Sequence, residues 1–303
     1  MSLRDRLALY TTIYPGAERF LRPWLRSVAA QTDRGFDLWI GLDQLSPDQA
    51  VAALGEDFRA VWSPAGPGMS RVQLRVQAIG RMAERYPAVV FVDCDDLLAP
   101  ERIALARSAL EHWDVAACAM RVIDQHGRET GVVFPPAVPN GPWEQLLAHG
   151  NIFGTGNSAY RSATLRACLP VPDTCAVLDW FLITRACACG ARLGFDPARA
   201  MAYRQYGVNF TPILPPFSEA YLLRAADLVL RHYAVALEHI PELRGMQRRA
   251  VEQARERAEQ FRAAVLARPD LRRRYVAELN RLPPRHIWWQ CVAHPALDRL
   301  WRA

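Results

Sequence analysis

The sequence predicts an α/β fold, a mixed sheet flanked by helices with a C-terminal helical extension. Three observations predict it. Residues 7–42 read strand, helix, strand, which makes a βαβ unit and parallel pairing. Ala88 to Val92 is an unbroken apolar run rich in β-branched residues, suited to a strand buried on both faces. Beyond Pro216 the apolar spacing turns helical, and Arg, Glu and Ala dominate.

Taken in order, Leu7–Ile13 is a strand ended by Tyr14-Pro15-Gly16. Glu18–Gln31 carries Phe20, Leu21, Trp24, Leu25 and Val28 at helical spacing, and Phe36–Leu42 returns to strand before Asp43. Ala60–Trp62 predicts a third strand, Gly66-Pro67-Gly68 a loop, and Val72–Tyr86 a helix leading into the strand at 88–92. A helix over Pro100–His112, a strand over Val115–Ile123, a turn at Gln125-His126-Gly127 and a hairpin return at Val132–Phe134 follow. After a proline-rich loop (135–142) come a short helix, Trp143–His149, and a glycine-punctuated segment, 151–160, leading into a helix start near Ser162. Val177–Ala188 predicts a helix, and Arg192–Phe195 and Ala200–Arg204 two short strands. Long helices are expected over Ser218–His239, Glu242–Arg268 and Pro269–Arg281. The end, from His286-Ile287-Trp288-Trp289 to Trp301, mixes aromatics with Arg. It suits either an interfacial helix on an anionic membrane or packing against the rest of the chain.

With 303 residues, 51% of them hydrophobic, the chain can bury a full core. It has no run of eighteen uncharged apolar residues, and its first residues lack a signal-peptide pattern. The seven cysteines form no C-x-x-C pair, and Cys187-Ala188-Cys189 lacks partners at zinc spacing. Reduced thiols in a cytoplasmic protein are expected. All 37 basic residues are Arg. Residues 217–303 hold 16 Arg against 10 acids, which is the whole excess of +6, whereas 1–216 are balanced. That asymmetry predicts two regions, 1–216 and 217–303. An excess this modest, with no recognition motif, argues against nucleic acid.

The residues that carry chemistry follow the apolar run: Asp93, Cys94, Asp95 and Asp96. Three carboxylates within four residues repel one another, and the repulsion grows where an apolar strand delivers them. A divalent cation, Mn²⁺ or Mg²⁺, would relieve it, since such ions prefer oxygen and combine one or two carboxylates with substrate phosphates. Asp96 could instead cap the following helix, but capping needs one acid rather than three. In open α/β sheets ligands bind at the carboxyl ends of parallel strands, where this cluster is expected.

Together these segments resemble the family 2 glycosyltransferases of the GT-A fold, the Rossmann-like architecture of nucleotide-diphospho-sugar transferases. The resemblance covers about residues 5–212. It rests on Ser27-Val-Ala-Ala-Gln31-Thr32 at the end of the first helix, Asp43 after the second strand, and Arg75 with Ile79 in the next helix. It rests also on Asp93, Asp95 and Asp96 as Asp-x-Asp-Asp, Gly154–Ser158, Asp179-Trp180, and Tyr203-Arg204-Gln205-Tyr206-Gly207-Val208-Asn209. Leu178 stands where the family carries Glu, and Tyr206 where it carries His.

The resemblance implies inverting transfer of a sugar from a nucleoside diphosphate sugar to a hydroxyl of a glycan, lipid-linked or other acceptor, in bacterial surface glycan or polysaccharide assembly. It implies donor contacts from Thr11, Tyr14, Asp43, Arg75, Asp93 and Arg204, and metal ligation by Asp93 and Asp95. Gly156, Asn157 and Trp180 would face the acceptor, and Asp179 would be the general base. In a chain without Lys, phosphate contacts fall to Arg, which binds phosphate bidentately. Residues 217–303 would make peripheral contact with the inner face of the membrane or join an oligomer. Two other classes compete. A dehalogenase-type phosphatase also uses an apolar strand and Asp-x-Asp, but Leu97 stands where Thr or Val is expected. A non-catalytic sugar-nucleotide-binding or scaffold protein draws support from Leu178 and Tyr206.

Overall fold

The computed structural model describes all residues except 56–57, 138–140, 208, 285–286 and 303. Val208 of the late motif, His286 of the aromatic tail and part of the proline-rich loop thus lie outside the described residues. The elements are β1 (Leu7–Ile13), α1 (Glu18–Ala29), β2 (Phe36–Leu42), α2 (Pro47–Leu54), β3 (Val61–Pro64), α3 (Arg71–Arg85), β4 (Ala88–Phe91), β5 (Leu97–Leu98) and α4 (Arg102–His112). They continue with β6 (Val115–Ile123), β7 (Glu129–Phe134), α5 (Trp143–His149), β8 (Ser158–Arg161), α6 (Ser162–Ala167), α7 (Leu178–Ala188) and β9 (Leu193–Arg204). The C-terminal region adds α8 (Glu219–His239), α9 (Gly245–Ala267), α10 (Pro269–Leu279), a 3₁₀ turn (Pro295–Leu297) and α11 (Asp298–Trp301).

The chain separates into two compact units. The first comprises Met1–Val133, Phe153–Asp173 and Gly190–Arg204, and it holds the sheet. Strand order is β3-β2-β1-β4-β8-β6-β9-β5, with β7 beside β6. β1, β2, β3 and β4 pair in parallel, as the βαβ reading requires. β8 runs antiparallel to both β4 and β6, which makes the sheet mixed. Every residue of β1 and β4 is buried, as expected of central strands. The two short strands expected over 192–204 are one strand, β9. Its pairing with β6 jumps from Cys118↔Asp196 to Ala119↔Arg199, so Pro197, which has no N–H to give the ladder, sits in the irregularity. α2 and α3 each start with a capping box, Ser46 with Gln49 and Ser70 with Gln73.

The second unit comprises Phe134–Ile152, Thr174–Cys189 and Gln205–Ala303. Composition predicts one boundary at 216/217. By compactness α5 and α7 join the C-terminal helices instead, because α5 packs on α9 and α7 on α8. Trp180 anchors this core. It is fully buried, its indole N–H donates to the Leu147 carbonyl at 2.7 Å, and its ring stacks on His232 at 3.9 Å. The tail tryptophans are buried too, Trp288 against Phe134 and Trp301 against Phe261. That corrects the membrane-interface reading of these rings: they fill the unit's core and have no face for a headgroup layer. No helix among the described residues is long and apolar enough to cross a membrane. All seven cysteines are free.

Candidate active site

The carboxyl ends of β1, β2 and β4 deliver Tyr14, Asp43 and Asp93 to one edge of the sheet. β4 stops at Phe91, and the chain turns through Asp93–Asp96, the Asp96 N–H donating to the Asp93 carbonyl at 3.3 Å, before β5. The three carboxylates sit in different surroundings. Asp93 keeps a third of its side chain exposed. Asp95 is 8% exposed and its Oδ2 accepts from the Tyr14 hydroxyl at 3.2 Å. Asp96 is 1% exposed; its Oδ1 accepts from the Arg204 N–H at 2.7 Å, and no described group reaches its Oδ2. Burial first, then the charges of Asp95 and Asp93, push the Asp96 carboxyl well above the usual range. Cys94, wholly buried in the turn, is held as a neutral thiol by the same burial.

The motif at the end of α1 serves this turn. The Ser27 hydroxyl accepts from the Leu98 N–H at 3.1 Å. Gln31, 1% exposed, donates to the Ala99 carbonyl at 2.8 Å and accepts from the Ile103 N–H at 3.1 Å. Thr32 donates to the Pro100 carbonyl through its N–H at 2.8 Å and through its hydroxyl at 3.1 Å. Ser, Gln and Thr at that spacing pin the backbone immediately after the acids, which fixes where the acids point.

Arginines on one face of α3, four residues apart, meet the cluster. Arg75 approaches Asp93 Oδ1 at 3.6 Å and donates to the hydroxyls of Thr12 at 3.2 Å and Thr155 at 3.4 Å. Thr155 itself donates to Asp93 at 3.5 Å. Arg71 pairs with the buried Asp43 at 2.7 Å and lies over the Tyr14 ring at 4.6 Å. Arg71 escaped the sequence reading, although it stands one helical turn before Arg75; Thr155 lies in the expected Gly154–Ser158 segment but contacts Arg75 and Asp93.

The structure brings Tyr14, Asp43, Arg75, Asp93 and Asp95 together and gives several other expected residues different work. Thr11 is 1% exposed inside β1, so no ligand reaches its hydroxyl; Thr12 makes the link to Arg75 instead. Arg204 is 4% exposed, donates to the carbonyls of Asp95 at 2.7 Å and Asp124 at 3.1 Å, and lies over the Phe20 ring. It braces the acid turn from beneath rather than offering a fork to phosphate. Asn157, fully buried, donates to the Cys118 carbonyl at 2.8 Å and accepts from the Gly154 N–H at 2.9 Å, so it orders its own turn. Gly156 backs the acids: a Cβ there would lie 2.9 Å from Asp93 Oδ2 and 3.2 Å from Asp96 Oδ2. Trp180 is core, and a fully buried indole offers no platform to a sugar. Asp179 lies half-buried in the first turn of α7, its Oδ1 accepting from the Trp180 N–H at 2.8 Å.

Among the described residues no three His, Cys, Asp or Glu side chains gather as a ready-made metal cage. The donor set is Asp93, a third exposed, and Asp95, 8% exposed beside the Tyr14 hydroxyl. That fits a cation which takes its remaining ligands from a diphosphate and water, and not one caged wholly by protein.

No protein-family model matches the chain, and no curated protein sequence does. Solved structures do. The mannosyltransferase PcManGT from Pyrobaculum calidifontis, in complex with GDP-Man and Mn²⁺, superposes with a TM-score of 0.57 at 16% identity, over 98% of this chain and 87% of that one. S. aureus TarS 1–349 in complex with UDP gives 0.53 at 15% identity, over 84% and 71%. The same protein with UDP-GlcNAc gives 0.52 at 16%, over 98% and 91%. With the strand order above, these likenesses show the fold: the chain has the GT-A glycosyltransferase architecture, a mixed sheet flanked by helices.

Proposed function

We propose that the chain is a metal-dependent family 2 glycosyltransferase. It would move a sugar from a nucleoside diphosphate sugar to an acceptor hydroxyl with inversion, in bacterial surface glycan or polysaccharide assembly. The observation that carries this reading is the Asp93–Asp96 turn at the end of β4, with Asp93 a third exposed, Asp95 8% exposed under the Tyr14 hydroxyl, and Asp96 buried behind them. The fold, shared with proteins solved in complex with UDP, UDP-GlcNAc and GDP-Man with Mn²⁺, supports it.

Asp93 and Asp95 would hold Mn²⁺ or Mg²⁺. When bound, that ion supplies Lewis-acid neutralisation of the departing diphosphate. Arg75 adds positive charge on the same side, and the hydroxyls of Thr12 and Thr155 fix its guanidinium. The Tyr14 hydroxyl orients Asp95, while Arg71 holds Asp43 and covers the Tyr14 ring, shaping the place for a base. Asp179 would take the proton of the acceptor hydroxyl. Residues 1–216 would carry the donor chemistry and 217–303 the partner contacts. Free cysteines agree with a reducing cytoplasmic setting.

Donor hydrolysis tests the reading. Slow release of nucleoside diphosphate from one of UDP-, GDP- or dTDP-sugars, dependent on Mn²⁺ and abolished by chelator, is expected. Donor binding without any release would favour the non-catalytic binding protein.

A further inference from the structure

The second unit contains a cavity of 560 Å³ lined by none of the residues expected to contact donor, metal or acceptor, although Tyr206 of the late motif is in its wall. Its size lies within the range of about 300–1,000 Å³ typical of small-molecule sites. Tyr206, Asn209, Pro212, Pro215, Tyr221 and Arg224 are among the residues that line it. In sequence the lining begins at Gln205, the residue after Arg204, which braces the acid turn.

The wall is held from both ends. The Gln205 side-chain oxygen accepts from the Ile213 N–H at 2.8 Å. The Asn280 amide accepts from the Phe217 N–H at 2.7 Å and donates to the Phe217 carbonyl at 3.0 Å. A segment clamped at Ile213 and Phe217, with Pro215 and Pro216 between, has little conformational freedom to lose on binding. The cavity is therefore preformed.

Its chemistry is one-sided. Arg224 is the one ionised residue in the described lining, and no carboxylate is present there. Glu219, nearby on α8, is taken by Arg272 at 2.6 Å. The Arg224 guanidinium lies 5.5 Å from the Tyr221 ring centre and donates to the Phe210 carbonyl at 3.3 Å, which fixes it at the cavity. Phe210 itself is half exposed. Phenol and proline faces accommodate the C–H faces of sugar rings, hydroxyl and amide groups take sugar hydroxyls, and a guanidinium unopposed by acid selects a negative charge.

We infer that this cavity binds an anionic carbohydrate, a sugar unit carrying a carboxylate or a phosphate. Its role as the charged part of the acceptor rests on the glycosyltransferase reading; the binding itself does not. Full-length protein would be titrated by calorimetry with maltotetraose, maltotetraose 1-phosphate, and maltotetraose ending in glucuronate. At least one anionic ligand should bind about tenfold to a hundredfold more tightly than maltotetraose, the usual worth of a hydrogen bond to a charged group. The tighter of the two identifies the anion. Arg224→Gln should erase that difference, while Arg224→Lys keeps part of it and Mn²⁺-dependent binding of whichever of UDP, GDP or dTDP the wild type takes stays at wild-type strength in both. Equal affinity for neutral and charged ligands, a preference that survives Arg224→Gln, or no oligosaccharide binding would overturn the inference. Loss of nucleotide binding in the wild type would overturn the proposed function and leave this site standing.

Discussion

His232 is 3% exposed and lies flat against Trp180 in the core of the second unit, so lowering the pH should destabilise this protein through it. Burial pushes its imidazole down to about 3, against roughly 6.5 in an unfolded chain. The folded state keeps His232 neutral while the unfolded state takes up a proton below about pH 6.5, so its contribution to stability is complete above that pH. It falls by roughly 1.4 kcal/mol per pH unit down to the folded value. Between pH 7.5 and 5 the loss is on the order of 2 kcal/mol. His149 and His294, also lowered by burial, act with the same sign. Asp33, Asp114 and Asp124 are held low by their arginine and backbone partners, and their windows close below about pH 4. His232→Phe keeps a flat ring on Trp180 and removes only this titration. Urea unfolding of wild type and variant at pH 5, 6 and 7.5 should show the wild type losing about 2 kcal/mol more than the variant across the range. Equal pH slopes would mean that water reaches His232, and with it the face of Trp180 on which it stacks.

Four further outcomes follow from the geometry. Asp179→Asn keeps shape but not basicity and should cut transfer by roughly 10²–10⁴ with donor affinity unchanged; near-full turnover would move the base elsewhere, with Asp173 next to test. Gly156→Ala should lower thermal stability and weaken Mn²⁺-dependent nucleotide binding, because the new methyl meets Asp93 at 2.9 Å and the buried Asp96 carboxylate at 3.2 Å; calorimetry checks both. Trp180→Ala should cost about 3–5 kcal/mol in urea unfolding, as emptying a buried aromatic site does. Gln31→Ala, which frees the Ala99 carbonyl and the Ile103 N–H, should lower stability by about 1–3 kcal/mol and weaken nucleotide binding.

The parallel half of the sheet was legible because β1, β2 and β4 are short, mostly apolar runs bounded by turn residues, and the apolar spacing of α1 and α3 is regular. β8 was not. Ser158–Arg161 is short, follows Gly154 and Gly156, and becomes a strand only by lying between β4 and β6, a long-range pairing that no local pattern announces. α2 was missed although Ser46 and Gln49 form a capping box, since its eight residues carry little apolar periodicity. At the site, the acid turn was readable from charge crowding alone. The work of Arg204, Asn157 and Trp180 was not, because residue type does not say which face of an element is buried. Arg204 bonds backbone carbonyls and Trp180 stacks on His232, roles that depend on neighbours remote in sequence.

The central claim is that the turn after β4 holds a nucleoside diphosphate through a divalent cation. Calorimetric titration of UDP, GDP and dTDP with and without Mn²⁺, on wild type and Asp95→Ala, tests it most directly. One of the three should bind wild type only when Mn²⁺ is present, and Asp95→Ala should lose that binding while staying folded. Binding that ignores the metal, or wild-type binding in Asp95→Ala, would contradict it.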